Sequence, residues 1–274
     1  MVSTKSLFYF VTINLIFTGL GTLDYYIYLN YSIYTLLVSI LFKNIGIPIF
    51  LVYTSRSDPY IIEGSRNTDI IDISNVTHIV YTSLFEFTST YILLYFVLSS
   101  HSVSSELLFF IPNTFFLEVL FDLFHYISHR FLHSVPFLYK RIHKYHHQSH
   151  TISILTTFHH TTVDLILSNL LPLVCTFLLY PIHKWTFFTW LWYKSLIEMG
   201  GHSGKNGKSS SFPQCIWIPK ILGIEMYPQD HNMHHLQNNV NFSKRFTFWD
   251  KIFKTFRNGS TSSNEWILSN KSRP

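Results

Sequence analysis

The stretch His125-Tyr-Ile-Ser-His129-Arg-Phe-Leu-His133 decides how the rest of the chain is read. Its histidines fall at i, i+4 and i+8, the spacing that stacks side chains on one face of a helix. Two later stretches follow a similar logic, His143-Lys-Tyr-His146-His147 and His231-Asn-Met-His234-His235. Fourteen of the sixteen histidines lie between His125 and His235, so this segment holds the chemistry. At this histidine content, one HxxHH pattern arises by chance in roughly one chain in twenty, and two in on the order of one in a thousand. The residues between the histidines are varied, which separates the clusters from a compositional histidine tract.

Imidazole nitrogen suits a borderline transition metal, whereas magnesium and calcium take oxygen ligands. His125, His129, His143, His146, His147, His231, His234 and His235 are too many for one ion, since a closed zinc site takes four ligands. Two ions with four or five imidazoles each, and an open position between them, fit the count. Zinc has no redox chemistry, whereas iron held by nitrogen can activate oxygen. No HExxH motif points to a zinc hydrolase. Cys175 and Cys215 form no CxxC pair, so the histidines are not half of a zinc finger. Ligating imidazoles usually donate their second N–H to a carboxylate or carbonyl, and Asp122, Asp164, Glu198, Asp230 and Asp250 are the candidates for that role.

The composition places this chemistry at a membrane. Of 274 residues, 47% are hydrophobic and only 13% charged, against about 25% charged in soluble proteins. Alanine is absent while Phe numbers 26, a coding bias that weakens any argument from aromatic counts. Apolar runs cover 7–29, 33–53, 79–98 and 106–124, and a bilayer core takes about 20 such residues. The first run has a single lysine before it and no small-x-small cleavage pattern after it, so a retained anchor is expected rather than a signal peptide. Lys43, Gly46 and Pro48 predict a broken or hairpin-like second run. A polar loop is expected over 54–77, a membrane hairpin over 163–198 and a Gly/Ser-rich loop over 200–214. Residues 1–114 thus read as a membrane-spanning region, 115–257 as the catalytic domain and 258–274 as a polar tail.

The net charge is +5, and Lys140, Arg141, Lys144, Lys244 and Arg245 crowd around the histidines. No nucleic-acid motif accompanies them, and the positive-inside rule places this part on the cytosolic side.

Beyond the clusters, Leu138-Tyr139-Lys-Arg-Ile-His143-Lys144-Tyr-His146-His147, Glu198-Met-Gly-Gly-His202-Ser203-Gly204, Asn241-Phe242 and Phe248-Trp249-Asp250-Lys251 resemble segments of the fatty acid hydroxylase/sterol desaturase superfamily of membrane di-iron enzymes. Within it the likeness is greatest to the cholesterol 25-hydroxylase and C-4 methyl sterol oxidase branch. The resemblance covers roughly residues 115–257. It implies an all-α protein, a helical membrane stem under a cytosolic helical cap that holds two iron ions. It adds His202 to the ligands and leaves His133, His159 and His160 open. It further implies an O2-dependent lipid hydroxylase, with a sterol favoured, in the endoplasmic reticulum membrane. Electrons would come from an external NAD(P)H-linked reductase through cytochrome b5, since the chain carries no flavin fingerprint. A desaturase using the same site is the nearest alternative, and a non-catalytic membrane scaffold a more distant one.

Overall fold

The structure is a computed structural model that describes residues 4–55, 72–96, 103–148, 152–204 and 211–259. Among the described residues it is helical, with no β-strand. Three long helices open the chain: α1 (Thr4–Asn30), α2 (Ile33–Ser55) and α3 (Ile73–Phe96). A short α4 (Val103–Leu108) leads into α5 (Phe110–Ser134), which ends in the first histidine cluster. The segments Leu7–Asn30, Ile33–Tyr53 and Thr162–Leu179 are long and apolar enough to cross a membrane.

The second apolar run is not broken. α2 continues through Pro48 as one helix, and the polar residues inside it have partners across the helix pair. Lys43 pairs with Glu86 of α3, while the Asn44 side-chain amide donates to Glu86 Oε2 at 2.8 Å and to Ser83 Oγ at 3.1 Å. What reads as an interruption in one helix is therefore a cross-link between two. Asp24 does the same for α1, accepting from Trp192 Nε1 at 2.8 Å and from the Ser39 hydroxyl. The polar loop is shorter than expected, because Ile73–Thr77 already belong to α3; residues 56–71 lie outside the described residues. So do residues 205–210 of the 200–214 loop and the tail from residue 260.

The second histidine cluster is not on a regular α-helix. After α6 (Pro136–Leu138) the chain makes a π-helical turn over Tyr139–His143 and a 3-10 turn over His146–Gln148. A further 3-10 turn (Leu155–Phe158) precedes α7 (Thr162–Leu165), a second π-turn (Ile166–Leu170) and α8 (Leu171–Leu179). α9 (Lys184–Gly201) then packs Phe187 and Trp190 on Phe177 of α8, with centroids 5.4 and 5.8 Å apart. α9 also lies against α1 so closely that a Cβ on Gly21 would sit 2.3 Å from Thr189 Cα, which only glycine allows. The chain closes with α10 (Trp217–Ile221), α11 (Pro228–Gln237) and α12 (Phe248–Ile252).

The charged residues of this core form a buried network. Glu118 of α5 accepts from Trp190 Nε1 and from Arg245 Nε, both at 2.7 Å. The guanidinium reaches Glu198 Oε1 at 3.1 Å, which Lys194 and Lys244 also approach, at 2.8 and 3.1 Å. α5, α9 and the loop before α12 are thereby tied together beneath the histidines.

Candidate metal centre

The three clusters converge into two adjoining groups. His129, His133, His143, His147 and His234 bring one ring nitrogen each to within 4.8 Å of one another. His146, His202, His231 and His235 do the same. Sequence neighbours are divided between the groups, His146 from His147 and His234 from His235. The i, i+4 pairs His143/His147 and His231/His235 each stay together, as helical spacing requires. The groups share a wall, with the His147 ring centroid 4.5 Å from that of His235.

Outer hydrogen bonds set the tautomers. Nδ1 of His129 bonds the Phe242 carbonyl at 2.7 Å, and that of His234 the Val240 carbonyl at 2.8 Å. His143 Nδ1 bonds Asp164 Oδ1 at 2.8 Å, and His202 Nδ1 the Glu198 carbonyl at 3.0 Å. Each of these acceptors takes the Nδ1 proton, so Nε2 carries a lone pair. Yet His129 Nε2 lies 3.1 Å from His143 Nε2. Two acceptors at that distance repel unless a cation sits between them. The Nε2 atoms of His202 and His231 approach to 3.1 Å in the second group. Among the described residues, His133 Nε2 and His146 Nδ1 are buried with no hydrogen-bond partner. The donor set therefore fits a pair of nitrogen-ligated transition-metal ions.

Burial and mutual repulsion keep the rings neutral, the form that ligates. Burial brings His202 and His234 down to about 3. It also pushes His129, His146, His147 and His231 well below the ordinary imidazole range, with neighbouring histidines adding to the effect.

Of the five nominated carboxylates, Asp164 alone reaches imidazoles through its side chain, bonding His143 and, at 2.7 Å, His160 Nδ1. The other four hold the scaffold. Asp122 accepts the backbone N–H groups of Lys244, Arg245 and Phe246, and Asp250 those of Phe242 and Ser243. Asp250 thus fixes the loop whose Phe242 carbonyl sets His129. Asp230 accepts from Tyr227 N–H at 3.0 Å and Gly259 N–H at 2.8 Å, while Glu198 belongs to the ion network and offers only its carbonyl to His202. Asp164→Asn is expected to weaken metal binding by roughly 10- to 100-fold, since an amide is a poorer base for the imidazole N–H; metal titration of the purified protein measures it.

The nominated ligands fall into place unevenly. His129, His143, His147 and His234 stand in the first group, and His146, His202, His231 and His235 in the second. His125 lies in neither, its Nδ1 bonded to the Ser168 carbonyl at 2.7 Å. His133, left open by the sequence, joins the first group; its i+8 register from His125 was the signal for it. His160 stacks on His146 with centroids 4.3 Å apart, whereas His159 turns away to Asn75.

A cleft opens beside the second group, between α2, α3, α8 and α9. Its interior is narrow, about 70 Å³. His160 and Glu198 lie at one end, and Leu93, Leu173 and Phe187 line it further along.

The fatty acid hydroxylase family profile matches residues 114–255. Among curated proteins, a fatty acid hydroxylase of Lecanicillium sp is 31% identical over 145 residues, which cover 50% of this chain and 40% of that one. Human cholesterol 25-hydroxylase is 31% identical over 155 residues, 57% of this chain and 55% of that one. The C-4 methylsterol oxidase of Schizosaccharomyces pombe is 30% identical over 148 residues, 53% and 46%. The chain spans about half the length of the curated relatives it matches. No solved structure matches it. The matched segment contains the whole of the first two histidine clusters, His202, the third cluster and the loop that holds it: the chain belongs to the fatty acid hydroxylase family.

Proposed function

We propose that the protein is a membrane-bound di-iron oxygenase that hydroxylates a lipid, with a sterol as the favoured substrate. The observation that carries this reading is the pair of buried, neutral imidazole groups beside a cleft between apolar helices. In it, His129, His133, His143, His147 and His234 hold one iron, and His146, His202, His231 and His235 the other. His125 supports the first group from its wall. The irons supply oxygen activation, which no side chain in the cleft provides. Insertion of one oxygen atom into a C–H bond consumes O2, two electrons and two protons, and yields the alcohol and water. The protein positions the target carbon against the histidine end, excludes water with the apolar wall of the cleft, and keeps His143, His129 and His234 in their ligating tautomer through Asp164 and the Phe242 and Val240 carbonyls.

The electrons come from outside the chain, from an NAD(P)H-linked reductase through cytochrome b5. The basic residues around the clusters orient the histidines to the cytosol, and the sterol-acting relatives favour the endoplasmic reticulum membrane. Mass spectrometry of lipids from host membranes bearing the wild type beside His234→Ala tests this reading. The wild type is expected to give a lipid heavier by one oxygen that the variant lacks. A lipid lighter by two hydrogens assigns a desaturase instead, and identical lipid profiles with both irons bound would falsify the catalytic reading.

A further inference from the structure

Polarity is distributed unevenly along the cleft. α3 gives its direction: the Thr82 hydroxyl bonds the Phe158 carbonyl, two residues before His160, so Thr82 marks the histidine end. Leu93 lies eleven residues further, about 16 Å at the helical rise. On α9, Met199 stands three residues before His202, and Phe187 is twelve residues back, about 18 Å. The histidine half is lined by Asn169, Lys194, Glu198 and Lys244, and the far half by Leu93, Leu173, Phe187 and Leu191. Glu86 and Asn44 lie one helical turn past Thr82, about 6 Å from the histidine end.

Glu86 is the polar group best placed to meet a ligand. Its side chain is 19% exposed, while Lys43 behind it is 2% exposed. Lys43 and Asn44 fix both carboxylate oxygens, yet an ionised carboxylate has about four acceptor sites, so at least one remains for a further donor. A carboxylate between two apolar helices is costly, and such residues are functional by default.

Resting on the oxygenase reading above, we infer that the cleft takes its lipid head-first, with a substrate hydroxyl donating to Glu86 and the apolar body running towards Leu93, Leu173 and Phe187. The opposite orientation would bury a hydrocarbon tail among Lys194, Glu198 and Lys244, whose desolvation opposes it. Head-first binding leaves the carbons within a few bonds of the hydroxyl nearer the histidine end than those of the tail. A sterol so held is oxidised on or near its hydroxyl-bearing ring and not at the far end of its side chain. Glu86 is thus a specificity-determining residue.

The test is equilibrium binding of radiolabelled cholesterol and of its 3-deoxy hydrocarbon to the full chain in lipid nanodiscs, which requires neither oxygen nor electrons. Wild type is expected to prefer the alcohol by roughly tenfold or more, the range of a hydrogen bond to a charged group. Lys43→Met with Glu86→Leu, which removes the ion pair together and leaves no buried charge alone, is expected to bind both equally and to keep the hydrocarbon affinity. Glu86→Gln is expected to retain part of the preference. Equal wild-type affinity for the two probes overturns the inference, as does a preference that survives in the double variant. Preference intact without any oxidised lipid refutes the oxygenase reading and upholds Glu86. Oxygen inserted at the far end of the side chain overturns the orientation.

Discussion

On the di-iron reading proposed above, His143→Ala is expected to abolish lipid oxidation, by more than about a hundredfold, and to reduce bound iron from two ions per chain towards one. His143 Nε2 lies 3.1 Å from both His129 and His147, so its ring is central to the first group. Its removal deletes a ligand and also releases Asp164, whose other partner is His160. Loss of an outer hydrogen-bond partner alone costs 10- to 100-fold at such sites, and loss of the ligand itself costs more. His235→Ala is expected to lower iron to the same level from the other group. Metal analysis beside turnover checks both; two irons retained in His143→Ala would remove this histidine from the site.

Arg245→Met is expected to destabilise the protein by about 3–5 kcal/mol, the usual cost of breaking a buried ion pair from one side. Arg245 and Glu118 are both fully buried, and the guanidinium is shared with Glu198. Against a total stability of about 5–15 kcal/mol, this is enough to lower the midpoint of thermal unfolding in detergent by many degrees. The double variant Glu118→Leu with Arg245→Met is expected to recover much of the loss, because no charge is then left alone. An unchanged midpoint in the single variant would show that the network adds nothing to the fold.

The spacing of the first cluster made its helix legible, because a single face must carry His125, His129 and His133. The second and third clusters share the HxxHH spacing, yet one forms π and 3-10 turns and the other an α-helix, so that spacing alone does not decide the local helix type. The apparent break near Lys43 misled because hydropathy weighs each residue alone, whereas Lys43 is satisfied by Glu86, 43 positions away. The same limit hid which carboxylate serves the imidazoles. Asp122 and Asp230 are closer to histidines in the chain than Asp164, yet they bind backbone N–H groups, as does Asp250. The closing Asn-Phe and Trp-Asp-Lys segments were legible only as a resemblance; the structure gives them a cause, since Asp250 secures Phe242 and Phe242 secures His129.

The division of His146 from His147, and of His234 from His235, bears on how such a chain can change over generations. Lys140, Arg141 and Lys144 are exposed, so a substitution at any of them leaves the rings in their groups. A one-residue insertion or deletion there is a different event, because it would move a ring from one group to the other and leave both wrongly filled. The filling of two sites that occupy different volumes therefore depends on the length of one short segment.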